Sequence, residues 1–304
     1  MNLNALRNFI AIVETGSIRE AADNLQIAQS ALSRQILRLE RDFGAPLLER
    51  LPRGVAPTTA GQIVLRHIRL TLDQIRGARD ELTALKGLRT GKIGLAVIEP
   101  FASSVLPDCI ARFRGTYPGI VFDVRVGNTR QVTTLVKEGI SELGIAYNAP
   151  REAGIALRAS TRQPLVAMVN PQHKLASAST LKLKDVAAWP LILPPGGSPT
   201  RLLIEEAARR SNTQIERILL ESDSVALRLA VALRTDGIAV LAQLSGENDR
   251  NAGVLRMLPI SDAMLSDGRL ELLAADGRVL THATQQFERL LRTTLKFGNQ
   301  RKQA

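Results

Sequence analysis

The sequence holds one cysteine and three histidines in 304 residues, and much chemistry is excluded by that scarcity. A lone Cys109 rules out an internal disulfide framework and fits a reducing compartment. Its neighbours Leu106, Ile110 and Phe113 mark it as a small buried hydrophobe rather than a nucleophile. None of His67, His173 and His282 has cysteine or carboxylate neighbours at metal-ligand spacing, so each is expected to be structural or on the surface, and no metal is expected. Gly196-Gly197 is not followed by Gly-Lys-Ser/Thr, which excludes a phosphate loop, and Ser198 lacks the flanking glycines of a nucleophile elbow. With no catalytic group and no cofactor site in view, the chain does not read as an enzyme. No apolar run is long enough to span a bilayer, and the start lacks the basic, apolar and small-residue succession of a signal peptide. A soluble, cytoplasmic protein without a membrane partner is expected. Repeats of solenoid period and low-complexity segments are missing too, apart from a short polar tail over 299–304.

The length calls for two or three domains, and 45% hydrophobic residues suffice to pack them. The net charge of +11 suits a polyanionic partner or an anionic ligand. Residues 1–90 hold 13 basic and 9 acidic side chains, so most of the excess lies elsewhere and charge alone argues only weakly for nucleic acid.

The informative stretch is 17–43. Ser17 suits the N-cap of a first helix, with Glu20 completing a capping box and Ala21, Ala22 and Leu25 on its buried side; Gln26 to Ala28 break the period. In a second helix Leu32, Ile36, Leu39 and Phe43 fall on one apolar stripe. The opposite face carries Gln29, Ser30, Ser33, Arg34, Arg38 and Arg41. Laid in a major groove, that face puts Gln29, Ser30, Ser33 and Arg34 within reach of base edges and phosphates, the geometry of a recognition helix. A solvated amphipathic face is the alternative for the stripe taken alone.

Before this pair, residues 3–15 form a helix with Leu3, Leu6, Phe9, Ile10 and Val13 on its apolar face, ended by Gly16. After it, Gly44 stops the chain, 45–50 return over the core, and 51–58 read as a short β-ribbon with its tip at Arg53-Gly54. A ribbon beside a recognition helix is a wing, and Arg53 at its tip suits a minor groove. A long helix then runs from Thr59 to about Lys86, with Leu65, Ile68, Leu72, Ile75 and Leu82 on heptad positions and Arg79 interrupting them. So narrow a stripe suits a dimerising partner helix, with packing on its own chain as the alternative. From the Gly87–Gly91 hinge onward strands and helices alternate. Strands are expected at 92–98, 120–126, 143–147, 165–169, 191–193, 217–220, 238–241, near 254–259 and near 269–274, with helices between them near 103–115, 129–138, 182–188, 200–210 and 224–233, and a last one from about 281 to 297. Alternation of this kind implies parallel sheets, here two α/β lobes with a cleft between them.

With these pieces assembled the chain resembles the LysR-type transcriptional regulators over essentially its whole length. The residues that carry the resemblance are Phe9 through Gly16-Ser17, Ala21-Ala22, Leu25, Gln29 through Ile36, Leu39-Glu40, Gly44, Pro46-Leu47, Glu49-Arg50 and Pro57 through Gly61. The resemblance implies a multidomain protein: an all-α winged helix-turn-helix (1–58) with a long linker helix and hinge (59–90), then an α/β two-lobed, periplasmic-binding-protein-like effector domain (91–304). Its lobe I would be about 91–162 plus 268–304 and its lobe II about 163–267. It further implies promoter DNA and a small-molecule effector as partners, a dimer through the linker helix that assembles into tetramers, and RNA polymerase as a further partner in prospect. By motif position Gln29, Ser30, Ser33 and Arg34 match the family's base and phosphate contacts, and Arg53 its wing contact; Arg38 adds a phosphate contact on the same face. Leu48 stands where many members have Phe, 237–242 lack a proline common at the end of that strand, and Glu142 replaces a frequent Asp.

In such folds ligands sit beyond the carboxyl ends of strands, at helix N-termini. By that rule the effector residues are Ser103 and Ser104, Asn128 and Thr129, Ser198 and Thr200, and Ser222 with Ser224 nearby. The hydroxyl and amide side chains suit a small carboxylate through their convergence, since each taken singly reads first as an ordinary N-cap. Phe101 and Tyr147 stand as either cleft wall or core. A solute-binding protein of the transport class, which the two-lobed half alone permits, and an enzyme acting on small carboxylates are the alternatives.

Overall fold

Leu6, Phe9 and Ile12 recur on one face of the first helix, and the computed structural model, which describes residues 3–85 and 90–295, buries all three. The chain divides into two compact units, Met1–Arg79 and Asp80–Ala304. The first contains α1 (Leu3–Thr15), α2 (Ile18–Leu25), α3 (Gln29–Phe43), the hairpin β1 (Leu48–Leu51) and β2 (Gly54–Pro57), and most of α4 (Thr59–Leu85). Gly16 ends α1 at φ +67° and donates its N–H to the Ile12 carbonyl. Ser17 caps α2 by accepting the Glu20 N–H at 3.3 Å, but the reciprocal half of the expected capping box is not made. The Ser17 N–H donates instead to Thr15 Oγ1, a nearer acceptor held by the preceding turn. Ala21, Ala22, Leu32, Ile36, Leu39, Leu47, Leu65 and Ile68 complete this core. Phe43 and Leu3, expected on the apolar faces, occupy the last and first positions of their helices and are exposed.

The hairpin register pairs Leu51 with Gly54, so its loop is Pro52-Arg53, one residue earlier than expected. Along α4, Leu65 and Ile68 are buried, Leu72 and Ile75 half-buried, and Leu82 is 61% exposed. The Arg79 side chain, residues 86–89 of the expected hinge, the end of the last helix and the polar tail lie outside the described residues.

The second unit opens with β3 (Thr90–Ile98), α5 (Glu99–Ser104), α6 (Leu106–Thr116), β4 (Gly119–Gly127), α7 (Thr129–Lys137), β5 (Leu143–Tyr147) and β6 (Ile155–Arg162). It crosses to β7 (Leu165–Val169), α8 (Leu183–Ala187), β8 (Leu191–Leu193), α9 (Pro199–Arg210), β9 (Ile218–Glu221), α10 (Val225–Ala232), β10 (Ile238–Ala242), α11 (Glu247–Asn251), β11 (Arg256–Pro259) and α12 (Ala263–Ser266). It returns through β12 (Arg269–Ala275) to α13 (His282–Thr294). Two five-stranded sheets result, ordered β4-β3-β5-β12-β6 and β11-β7-β10-β8-β9. They are mixed rather than parallel. β12 runs antiparallel to β5 and β6, and β7 runs antiparallel to β10 and β11. The reason is connectivity: strands that cross between sheets return without a helical crossover, so they meet their neighbours in the opposite direction. Strand β6 was not expected, and Arg158 and Arg162 within it obscure its alternation.

Buried carboxylates are paired. Glu142 accepts hydrogen bonds from the Thr281 and Thr284 hydroxyls and lies 3.9 Å from Arg278, which accounts for a longer acid at that position. Glu288 is held by Arg158 and Arg292; burial pushes its carboxyl up, but those two cations more than offset this and keep it below the usual range. His173 accepts the Leu175 N–H on Nδ1, so its Nε2–H donates to the Asp236 carbonyl, a structural role. Cys109 is buried, and burial raises its thiol.

Candidate functional site

On the first unit the outward face of α3 presents Gln29, Ser30, Arg34 and Arg38 as exposed side chains and Ser33 as half-buried. Ala28 precedes the helix without a side-chain cap, so the first N–H groups of α3 are not taken by a side chain and suit an anion such as phosphate. Two contacts fix how this face stands. The Asn8 amide donates to Gln35 Oε1 at 2.6 Å, tying α1 to α3 and occupying Gln35. Glu40 Oε1 accepts the N–H groups of Leu47 and Leu48, at 2.8 and 3.2 Å, joining α3 to the root of the hairpin. The hairpin is braced in turn by the Val55 N–H on the Gly16 carbonyl. Exposed Arg53 occupies its loop. Within this unit, then, hydrogen-bonding side chains, two arginines and a braced basic loop are held by rigid elements, the parts that groove and phosphate contacts require.

The second unit contains a cleft of about 650 Å³ lined by residues of both sheets' flanking segments. The N-termini of α7, α9 and α10 line it, each capped by its own side chain. Asn128 accepts the Gln131 N–H, Ser198 the Arg201 N–H and Ser224 the Leu227 N–H. Asn128, Thr129, Ser198 and Thr200 therefore line the cleft as expected, but the Thr129 hydroxyl donates to the Tyr147 carbonyl and is buried. Ser103 and Ser104 do not line it. The helix after β3 starts at Glu99 rather than near 103, so both serines fall in its last turn, where their hydroxyls donate back to Glu99 and Pro100 carbonyls. Ser222 also stays outside, accepting the Ser224 N–H; Ser224 takes the place expected of it. Tyr147 is a wall residue whose hydroxyl donates to the Gln163 carbonyl, and burial pushes its phenol well above the usual range. Phe101 is core.

The sequence rule missed the charged groups of the cleft. Glu99, on the first sheet's side, accepts the N–H of Val225 on Oε2 at 2.9 Å and that of Ala226 on Oε1 at 3.3 Å, so it covers the N-terminus of α10 on the other side. Arg228, one turn along α10, is 5% exposed, and its Nε and Nη1 have no hydrogen-bond partner. Burial lowers its guanidinium to about 10, against the opposing pull of Glu99 and Asp223. Ser245 Oγ, also in the cleft lining, is buried and unpartnered. The signal for Arg228 lay in the sequence: it is the lone charge in the apolar run Val225–Ala232. Among the described residues, no cluster of His, Cys, Asp or Glu fits a metal ion, and no helix is long and apolar enough to cross a membrane.

Comparison with known proteins follows the same division. Residues 3–62 match the model of the bacterial regulatory helix-turn-helix protein, lysR family, and residues 86–296 that of the LysR substrate binding domain. The HTH-type transcriptional activator CmpR of Synechocystis sp. is 30% identical over 232 residues, 75% of each chain. A full-length OxyR variant from Pseudomonas aeruginosa aligns with a TM-score of 0.76 at 18% identity over 99% of both chains. Full-length CbnR complexed with its target DNA aligns at 0.62 and 20% identity, covering 97% of this chain and 100% of that one. At such identities the structural likeness speaks for the fold.

Proposed function

The chain belongs to the LysR family of DNA-binding transcriptional regulators, not to an enzyme family, and from that premise we propose that a small carboxylate effector, bound in the cleft, alters how the protein engages promoter DNA. The observation that carries the carboxylate reading is Arg228, a buried guanidinium with two unpartnered N–H groups in the cleft lining. A buried cation without a partner is costly, and a carboxylate supplies the charge-assisted acceptor that its nitrogens lack. On the DNA side Gln29, Ser30, Ser33 and Arg34 read base edges and nearby phosphates, while Arg38 and Arg53 hold the backbone.

Two copies joined through α4 would read two half-sites related by a two-fold axis, and exposed Leu82 on that helix supports a partner there. Pairs of dimers would then form a tetramer. Regulation follows by linkage: an effector that prefers one cleft geometry shifts the population of assemblies and thereby the spacing or bend of the bound sites.

The test is selection of genomic fragments by the purified protein at physiological salt, followed by sequencing of what is retained. Enrichment of a few intergenic fragments sharing an interrupted palindrome is expected, and the adjacent genes then nominate the effector. Retention without sequence preference overturns the promoter reading.

A further inference from the structure

A carboxylate already sits where a ligand's anion is expected, and it belongs to the chain. Glu99 spends both carboxylate oxygens on the first two amides of α10, Val225 and Ala226, across the cleft. That is the arrangement an exogenous anion adopts at a helix N-terminus. The contact also ties one side of the cleft to the other, since its partners are more than 120 residues apart in sequence.

The site beneath is unfinished. Arg228 belongs to the same helix and lies within a turn of those amides, yet Nε and Nη1 find no acceptor. Glu99 and Asp223 favour its charge through space without bonding to either nitrogen. Ser245 Oγ adds a second buried, unpartnered group to the same cleft. Two such groups in one cavity are unusual, because buried polar atoms are nearly always satisfied.

We propose that Glu99 is an internal stand-in for the anionic group of the ligand, and that a small oxyanion, carboxylate or phosphate, seats between the α10 amides and the Arg228 guanidinium and displaces it. This deepens the effector reading and rests on it. An oxyanion there supplies a charge-assisted acceptor to the unpartnered guanidinium and takes over the amides of Val225 and Ala226. Two negative groups cannot share those amides, so Glu99 is expelled and the tie across the cleft is released. Binding and cleft geometry are thereby coupled, and the coupling is reciprocal: whatever holds Glu99 on α10 weakens the ligand by the same factor. Arg130, exposed on the opposite lining, is placed to meet a second acidic group of the same molecule.

The experiment uses the full chain without DNA and two defined probes, malonate and inorganic phosphate, titrated calorimetrically into the wild type, Glu99→Gln, Arg228→Met and the double variant. Removing the internal competitor in Glu99→Gln is expected to tighten at least one probe about tenfold or more. Arg228→Met is expected to weaken it about tenfold or more and to abolish the gain in the double variant. A structural role for Arg228 predicts a lower melting temperature in Arg228→Met; an unpaired buried charge predicts an unchanged or higher one. Preference for malonate upholds the proposal with a carboxylate, and preference for phosphate upholds it with a phosphate ester. Binding to Glu99→Gln no tighter than to the wild type overturns it, as does undiminished binding to Arg228→Met. Because DNA is absent, failure here leaves the fragment-selection result standing, and failure of fragment selection leaves this binding result standing.

Discussion

Glu40 of α3 accepts the Leu47 N–H at 2.8 Å, and through that one oxygen, shared with the Leu48 N–H, the root of the wing is fixed to the recognition helix. Leu47 is fully buried, so its amide has no ready substitute in water. Glu40→Leu is expected to cost about 1–3 kcal/mol of stability, the penalty for orphaning a buried donor. The check is amide exchange at Leu47 and Leu48, which should speed up together with a fall in the urea midpoint; protection unchanged from the wild type would show the bond to be dispensable.

Arg34 and Arg53 should fail differently. Arg34→Ala is expected to weaken specific DNA and relax sequence preference, whereas Arg53→Ala lowers affinity on specific and random duplexes alike. With Arg34, Arg38 and Arg53 each neutralising one phosphate per subunit, a dimer should lose affinity with salt at a log–log slope of about −5, and each Arg53→Ala pair should reduce it by about 2. Equal loss on specific and random DNA for Arg34→Ala would remove it from base reading.

Gly54 should not tolerate a side chain. Its φ of +94° is left-handed, and a Cβ there would lie 2.2 Å from the Gly16 carbonyl oxygen. Gly54→Ala therefore separates β2 from the α1–α2 turn, costing upwards of about 1 kcal/mol. It should reduce DNA affinity about as far as Arg53→Ala although no charge has changed, a comparison that a gel-shift series in both variants makes directly.

Leu82, 61% exposed on α4, is expected to be covered by a second copy. Leu82→Lys should weaken self-association by about 1.5–3 kcal/mol for each side chain removed from the interface. Sedimentation at graded concentrations reads the shift, and an unmoved dimer constant would take the end of α4 out of the interface.

Acid should loosen the second unit in part through Glu288. Its carboxyl titrates below the usual range in the folded chain because Arg158 and Arg292 hold the ionised form against the upward push of burial. A carboxyl depressed by folding contributes stability above its unfolded value, near 4.3, and that contribution is lost as pH falls through the lower folded value. Unfolding midpoints measured from about pH 7 down to about pH 3 should therefore fall less steeply in Glu288→Gln than in the wild type.

How much of this was legible beforehand depends on the range of the forces involved. The first sixty residues announced themselves because each boundary carries a local signal: Gly16 and Gly44 for helix ends, Ser17 for a start, and Pro and Gly for the ribbon. Strand direction is different, since β12 runs antiparallel to β5 only because the chain has come back from another sheet, and no residue of Arg269–Ala275 records that. The cleft was half-read for the same reason. N-caps at Asn128 and Ser198 are local, whereas Glu99 becomes a cap for α10 only once two distant segments meet. Ser103 and Ser104 misled because what reads as one helix from about 103 is two, Glu99–Ser104 and Leu106–Thr116, each with a proline in its first turn, Pro100 and Pro107.

The ladder between β6 and β12 begins with Arg162 opposite Arg269, and the Gln163 N–H donates to the Gly268 carbonyl just beyond it. Everything from 164 to 267 thus leaves and re-enters through two hydrogen-bonded neighbours, as a passenger spliced into the tip of a hairpin. Closing that hairpin with a tight turn would yield a miniature in which the first sheet keeps all five strands and α13. The second sheet's module is in this sense exchangeable cargo: a differently shaped insert on the same two exit points would alter ligand preference without disturbing the platform that carries it.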